Sequence, residues 1–406
     1  MFILAACLAG VLQAKVINDL NVITTEVSEQ SREVRDQAIA DGFELAVVRF
    51  TGLPSHIIAA TIRENSLRAS QYLQRYRYEV TEQSAETEQQ AESTKLVMIF
   101  DEGGILSLVD QLNLPAWNNN RPELLAWIAI GDKRYRLLLG PEYESQLKTL
   151  VTRSLNDPFM RVEPPEKQTS PTSTKSASEE LNPAERLYLD KVGTSENLLE
   201  ILDTVASNRG LPLVLPLLDL QDNISLDTGD VWGQFVSQIR EASTRYKPDL
   251  TLVGRVELVN DGWLLDWLLL DDNSSELWQA SAKTLSEALV TGLEETIERI
   301  ASRFAVVQDS SKSSLLEISV SNIVTIADMA AMEDYLKKQP AIANVYLSRV
   351  SGTNVRYKLE LIGDLSSLLQ SIQLERRLVE TTAPESQITM NLLDTTPVSI
   401  YFDWNG

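Results

Sequence analysis

One histidine, His56, and one cysteine, Cys7, are the chain's entire supply of imidazole and thiol. A His–His metal pair is therefore impossible, and a Ser-His-Asp relay would have to be built around one residue. His56 follows Pro54-Ser55, a pattern in which Ser caps a helix and His occupies its first turn, so it reads as structural. Gly103-Gly104, after Asp101-Glu102, superficially suggests a phosphate loop that aims backbone N–H groups at an anion. It lacks both G-x-G-x-x-G and G-x-x-x-x-G-K-[ST], and two carboxylates stand where the anion would arrive, so a tight strand-to-helix turn is the better reading. Asp271-Asp272 with Asp219 and Asp222 offer hard oxygen ligands without a cation-loop spacing, and read as turn residues. No metal and no cofactor are expected.

The sharpest candidate for acid–base chemistry is Glu257 with Asp266. Asp261-Gly262 favours a two-residue type I′ turn. Counting outward pairs Leu258 with Leu265, Glu257 with Asp266 and Val256 with Trp267. Two facing carboxylates raise each other's proton affinity, the arrangement of a carboxylate-dependent hydrolase, with Arg255 on the diagonal to restrain them. The preferred alternative is an exposed polar hairpin face of Arg255, Glu257 and Asp266, because no further positioned groups are visible around the pair. A second candidate is the loop between Pro115 and Pro122, where Trp117, Asn118, Asn119, Asn120 and Arg121 suit hydrogen bonding to a partner. Its structural reading is that Trp117 packs inward.

The elements that must position these groups follow from periodicity. Residues 16–27 read as a strand, and Ile39, Phe43, Ala46, Val47 and Phe50 form one helical stripe. A second helical stretch runs from Ile58 to Leu73, and Tyr76–Val80 alternates as a strand. The polar segment 81–94 carries four Glu and no base and reads as a mobile hairpin tip. Strand 95–100, helix 102–112 and the apolar strand 124–130 complete a βαββαβ order, which suggests a ferredoxin-like sandwich. Pro, Ser and Thr crowd 162–182, a linker. A helix near 196–208, a strand at 211–220, a helix led by Asp230, a hairpin from Leu250 and a long helix with Leu285, Leu289, Leu293, Ile297, Ile300 and Phe304 on one stripe make a middle domain. After a short linker at 310–314, the order is again βαββαβ, ending in a strand at 398–402.

The first fourteen residues contain no charge, whereas the remainder carries 36 basic and 58 acidic side chains for a net charge of -22. The apolar run is shorter than the roughly 20 residues a membrane helix needs, so it reads as a signal peptide cut after Ala14. Leu4-Ala5-Ala6-Cys7 also fits a lipobox, which would anchor the chain to the outer membrane. Cleavage after Ala14 leaves no cysteine and hence no disulfide. Strong acidity argues against a nucleic-acid partner.

LPAWNNNRPELLAWIAI, NRGLPLVLPLLDLQD, DVWGQF and RYKPDLTLVGRVELVNDGWLLDW resemble DUF2066, a domain-of-unknown-function family of gammaproteobacterial envelope proteins, over roughly 20–375. The stretch of about 140–195 departs from the family pattern. The resemblance implies an envelope location and no known reaction. At fold level the middle domain is similar to small periplasmic α/β modules of envelope-assembly machines.

The combined expectation is an α+β protein of three small α/β sandwich domains, the first and last ferredoxin-like. The boundaries are a signal peptide at 1–14, an N-terminal domain at 15–139, a helix and linker insertion at 140–195, a middle domain at 196–308 and a C-terminal domain at 313–403. The expected role is a non-enzymatic binding or scaffolding factor in the periplasm, with an unknown envelope protein as partner and no transmembrane helix in the mature chain.

Overall fold

The computed structural model describes residues 15–81, 93–149, 197–307, 314–382 and 400–406, apart from residues 18, 118, 134, 144, 148, 260, 261, 272, 273, 340, 363, 364 and 376. The apolar leader with Cys7, most of the 81–94 segment, most of the 140–195 insertion, Asn118, Asp261 and Asp272 lie outside the described residues. Two compact units emerge. One is drawn from the chain up to Pro122 with Ser207–Pro212 and Ile297–Gly406, the other from Glu123–Ala206 and Leu213–Thr296.

The N-terminal part begins with β1 (Lys15–Val16) and β2 (Val22–Val27). A turn at Asp19, whose carbonyl accepts from Val22 N–H, splits the single strand expected over 16–27. Helix α1 (Arg32–Thr51) starts at Ser31, whose hydroxyl accepts from Val34 N–H, and buries the expected stripe of Ile39, Phe43, Ala46, Val47 and Phe50. It ends at Gly52, whose φ of 69° places it in the left-handed region that a glycine C-cap supplies without strain. Helix α2 (Ser55–Thr61) has Pro54 at its N-cap and no side-chain cap, so Ser55 does not cap it, and His56 is exposed. Strands β3 (Leu73–Thr81) and β4 (Ser93–Phe100) follow, then α3 (Glu102–Gln111), β5 (Pro115–Ala116) and β6 (Asn120–Arg121). Asp101 caps α3 by accepting from Gly104 N–H, so the Gly103-Gly104 step is the tight turn expected of it.

Three of these strands form an antiparallel sheet in the order β2-β4-β3. That is the ferredoxin-like order with its fourth strand missing. The strand expected to supply it, β7 (Leu124–Gly131), is buried at every position and pairs elsewhere. A strand apolar on both faces belongs in the middle of a covered sheet rather than at the edge of a small one. The N-terminal domain therefore does not extend to residue 139, and its ferredoxin-like reading is corrected to a three-stranded sheet with helices.

The second unit is built on β7. It continues with β8 (Arg136–Leu138), α4 (Leu198–Arg209), β9 (Leu213–Val214), α5 (Leu220–Ser225), α6 (Thr228–Trp232), α7 (Val236–Ser243), β10 (Leu250–Val259), β11 (Gly262–Leu270), β12 (Ser275–Ala282) and α8 (Leu285–Phe304). The sheet order is β12-β11-β10-β7-β8, with β9 also on β7, and β10 runs parallel to β7. Pro212 and Pro216 limit the strand expected over 211–220 to two residues, since proline cannot donate to a ladder. One sheet face packs Leu125, Trp127, Val253 and Leu268 against Val231, Trp232, Ile239 and Ala242. On the other face Trp267, opposite Gly254 and Trp278 in register, lies against Gly292 of α8.

The C-terminal part comprises β13 (Val306–Val307), β14 (Ser314–Ser321), α9 (Ile326–Lys337), β15 (Ile342–Ser351), β16 (Asn354–Leu361), α10 (Leu365–Glu375), β17 (Leu378–Thr381) and β18 (Ile400–Trp404). Its sheet order is β15-β16-β14-β18-β17. This is the expected ferredoxin-like arrangement with one strand added. The strand β18 is inserted parallel to β14 and separates it from β17, which the sequence reading did not identify. A capping box at Thr325 and Asp328 starts α9, and Met332, Tyr335 and Leu336 bury its inner face.

Candidate interaction surface

The loop between Pro115 and Pro122 turns inward. Trp117 and Arg121 are both 0% exposed, and Asn119 and Asn120 are half-buried. The guanidinium of Arg121 lies 3.7 Å from the Trp117 ring centre, and its Nη2 donates to the Arg49 carbonyl at 2.6 Å and the Trp117 carbonyl at 3.0 Å. Trp117 N–H donates to the Phe50 carbonyl, and Arg209 donates to the Gly52 carbonyl at 2.8 Å. The last carbonyls of a helix carry partial negative charge and lack intrahelical donors. This loop, together with Arg209 of α4, supplies donors for the end of α1. Burial, with Arg49 and Arg209 nearby, lowers the Arg121 pKa well below its ordinary value. The expected interaction loop is thus a helix cap, and Trp117 and Arg121 present no surface to a partner.

The hairpin brings Arg255, Glu257 and Asp266 to one face, but none of the three is exposed, and the pairing differs from the one counted from the sequence. Asp266 stands opposite Arg255, Glu257 opposite Leu264 and Leu258 opposite Trp263, with the ladder closing at Val259 and Gly262. The two carboxylates do not face each other. Asp266 is 5% exposed and accepts from Arg255 Nε at 2.8 Å and Nη2 at 2.5 Å, and Gln279 Nε2 donates to its other oxygen. The carbonyl of Asp266 accepts from Gln234 Nε2 at 3.1 Å. Above this cluster Trp232 receives Arg136 at 4.5 Å and Arg255 at 5.9 Å from its ring centre. Gln234 reaches it from a φ of 53°, a conformation that costs about 1 kcal/mol or more outside glycine. The carboxylate of Asp266 is saturated by donors, which fits a structural clamp and removes the paired-acid geometry a hydrolase would need.

A second clamp lies in the same unit and was missed as such. Asp219 caps α5 through Gln221 and Asp222 N–H, as a turn residue should. Its carboxylate also receives both terminal nitrogens of Arg245, at 2.6 and 2.7 Å. Asp222, 2% exposed, accepts from Arg245 at 2.9 Å, from Leu218 N–H at 2.9 Å and from the Tyr246 hydroxyl at 2.5 Å. The hydroxyl in turn accepts from Leu217 N–H at 2.9 Å. The Arg245 hydrogen bonds hold the Asp219 carboxyl well below the usual carboxylate range. Burial and the hydrogen bond to Asp222 push the Tyr246 hydroxyl up to about 12. The signal available in the sequence was two acids three residues apart at the start of a helix, matched by an adjacent Arg-Tyr.

What this clamp fixes is an apolar ledge. Leu217, Leu220 and Ile224 are 57%, 77% and 77% exposed. Leu220 and Ile224 are four residues apart in α5 and share one side of it, and Leu217 precedes the helix. Leu220, Ile224, Asp219, Gln221 and Ser225 line a shallow open depression. An exposed leucine alone is ordinary, whereas three large apolar side chains are exposed here within eight residues. Among the described residues no group of three or more His, Cys, Asp or Glu side chains is placed to hold a metal ion, and no helix is long and apolar enough to cross a membrane.

Residues 316–390 match the family model of DUF2066, which bears out the resemblance seen in the sequence. Residues 14–118 match DUF8605, a domain of unknown function. The DUF2066 match covers β14 to β17, whereas most of the segments that carried the resemblance lie between the two matches and build the two clamps. No curated protein and no solved structure matches the chain.

Proposed function

We propose that this chain is a non-enzymatic binding factor of the bacterial envelope, which engages a protein partner through the ledge of Leu217, Leu220 and Ile224. The observation that carries this reading is the pairing of exposure with rigidity. Leaving apolar side chains in water gains nothing for the fold. Here four side chains from two segments, Asp219, Asp222, Arg245 and Tyr246, hold the ledge in one place. Preorganisation of this kind lowers the entropic cost of binding. The apolar leader and the absence of cysteine after it support export into the periplasm, and anchoring through Cys7 would change location without changing the surface.

A photo-crosslinking residue placed at Leu220 or Ile224 in the native cell tests the proposal. A discrete adduct at these positions, absent when the same residue replaces exposed Ser237 and lost in an Ile224→Asp background, supports it. Equal labelling at Ser237, or no adduct at the ledge, overturns it. The intact mass of the purified protein separates the compartments: a start at Lys15 fits a free periplasmic protein, and acyl mass on Cys7 fits the anchored form.

A further inference from the structure

We infer that the buried end of α1 holds a small inorganic anion, bound by the side chains of Arg49, Trp117 and Arg121. The inference is independent of the ledge. Arg49 Nη1 donates to the Val22 carbonyl at 2.8 Å, and Arg121 Nη2 to the two carbonyls already described. Four other nitrogens of these three side chains are buried with no hydrogen-bond partner among the described residues: Arg49 Nε, Trp117 Nε1, and Nε and Nη1 of Arg121. All four carry N–H and none can accept, so only an acceptor satisfies them. A buried donor left unpaired is costly, and capping of α1 uses other nitrogens.

Charge makes the acceptor an anion. The Arg49 and Arg209 guanidiniums stand close enough to Arg121 to act on its charge, and among the described residues no carboxylate offsets them there. The exposed Asp19 acts on Arg49, whose pKa burial nevertheless lowers to about 10. The carbonyl end of α1 supplies about half a negative charge against three guanidiniums. A water molecule would satisfy N–H groups and leave that imbalance in place, whereas an anion removes both.

Packing makes the anion small. A Cβ on Gly52 would lie 2.6 Å from the Trp117 ring and 2.7 Å from Ala301 Cβ, and one on Gly210 would lie 2.8 Å from Leu20 and 3.5 Å from Arg49 Cγ. Trp117 and Arg121 are closed to solvent, whereas Arg49 is half-buried, so the cluster meets water on the Arg49 side. A carboxylate on a partner chain or a nucleotide phosphate brings a body that such packing excludes. A free chloride or phosphate ion brings none.

The test follows thermal unfolding of the full chain in sodium chloride, sodium phosphate and sodium gluconate at matched pH and ionic strength, gluconate being too large to enter. A ligand that binds only the folded chain raises the melting temperature with the logarithm of its concentration, here by about 3–5 °C per tenfold rise above Kd. Chloride or phosphate should do so and gluconate should not; an effect of chloride alone identifies a halide site, and of phosphate alone an oxyanion site. Arg49→Met and Arg121→Met remove a charge while keeping an unbranched side chain, and each should abolish the anion dependence. Arg121→Met also strips donors from the α1 carbonyls, so if it fails to fold, the half-buried Arg49→Met carries the test. Equal melting temperatures in the three salts, or an anion effect that survives in Arg49→Met, overturns the inference.

Discussion

Replacing Gly292 by alanine should destabilise the second unit, although the same change in an ordinary helix does the reverse. Glycine inside a helix is worse than alanine by about 1 kcal/mol, so the substitution gains that much where space is free. A Cβ on Gly292 would lie 2.6 Å from Trp267 Nε1, against the pyrrole edge of the indole. The ring cannot move away, because Gly254 already sits against its benzo edge, where a Cβ would lie 2.9 Å from Cε3. Overpacking a closed core costs about 1–3 kcal/mol, and a ring held from both edges belongs at the upper end. The net effect is a loss of about 2 kcal/mol, or about 4–8 °C in a unit of this size. Thermal unfolding followed by near-ultraviolet circular dichroism reads it directly. In a Trp267→Leu background the clash disappears, and Gly292→Ala should become neutral or stabilising, a coupling characteristic of touching residues. A higher melting temperature for Gly292→Ala in the wild-type background would refute the packing argument.

Leu220→Asp and Ile224→Asp should change stability by no more than about 0.5 kcal/mol, as exposed substitutions do, while abolishing the crosslinked adduct. Asp266→Asn should cost about 3 kcal/mol in chemical denaturation, the lower end for breaking a buried ion pair, because Arg255 retains some exposure to water. The carboxyl of Asp219 is depressed in the folded state, so its contribution is complete above the ordinary carboxylate pKa of about 4 and is lost as pH falls through the lower folded value. Arg245→Gln should raise the pH at which the Asp219 carboxyl takes up its proton toward about 4, seen as the acid-induced shift of the Gln221 and Asp222 amide signals, which donate to that carboxyl, in an NMR titration. Gly52→Ala should be strongly destabilising, since it forces a side chain into a φ of 69° and brings its Cβ to 2.6 Å from the Trp117 ring.

Periodicity made some elements legible and could not make others so. The stripes of α1 and α8 were readable because each residue's face depends only on its neighbours three and four away. The hairpin of β10 and β11 was readable, but its register was not. The observed pairing differs from the counted one by two positions, and a shift of two leaves every side chain on its original face, so the alternation of Trp263, Leu265 and Trp267 fits both. That shift is what replaces Glu257 by Arg255 opposite Asp266. For β7 the sequence showed an apolar strand without naming its partner. Its apolar character on both faces was the available sign of a central position. At the loop of Trp117 and Arg121, residue type suggested a binding surface, and only the position of the α1 terminus explains why those side chains are buried.

The parallel pairing of β7 with β10 sets a timetable for synthesis. The Glu123 N–H donates to Asp249 across 126 residues of sequence, and the whole of β7 pairs with the strand that starts there. At about 5–20 residues per second, the ribosome takes roughly 6–25 s to deliver that partner. Throughout that interval the apolar run LLAWIAI has left the ribosome without its central neighbour, exposed to water and to other nascent chains. The family-matched segment before it can begin to order during this delay, but the second unit can close only after β10 emerges. A chaperone that holds the chain between the synthesis of β7 and that of β10 would therefore raise the yield of folded protein more than one acting after release.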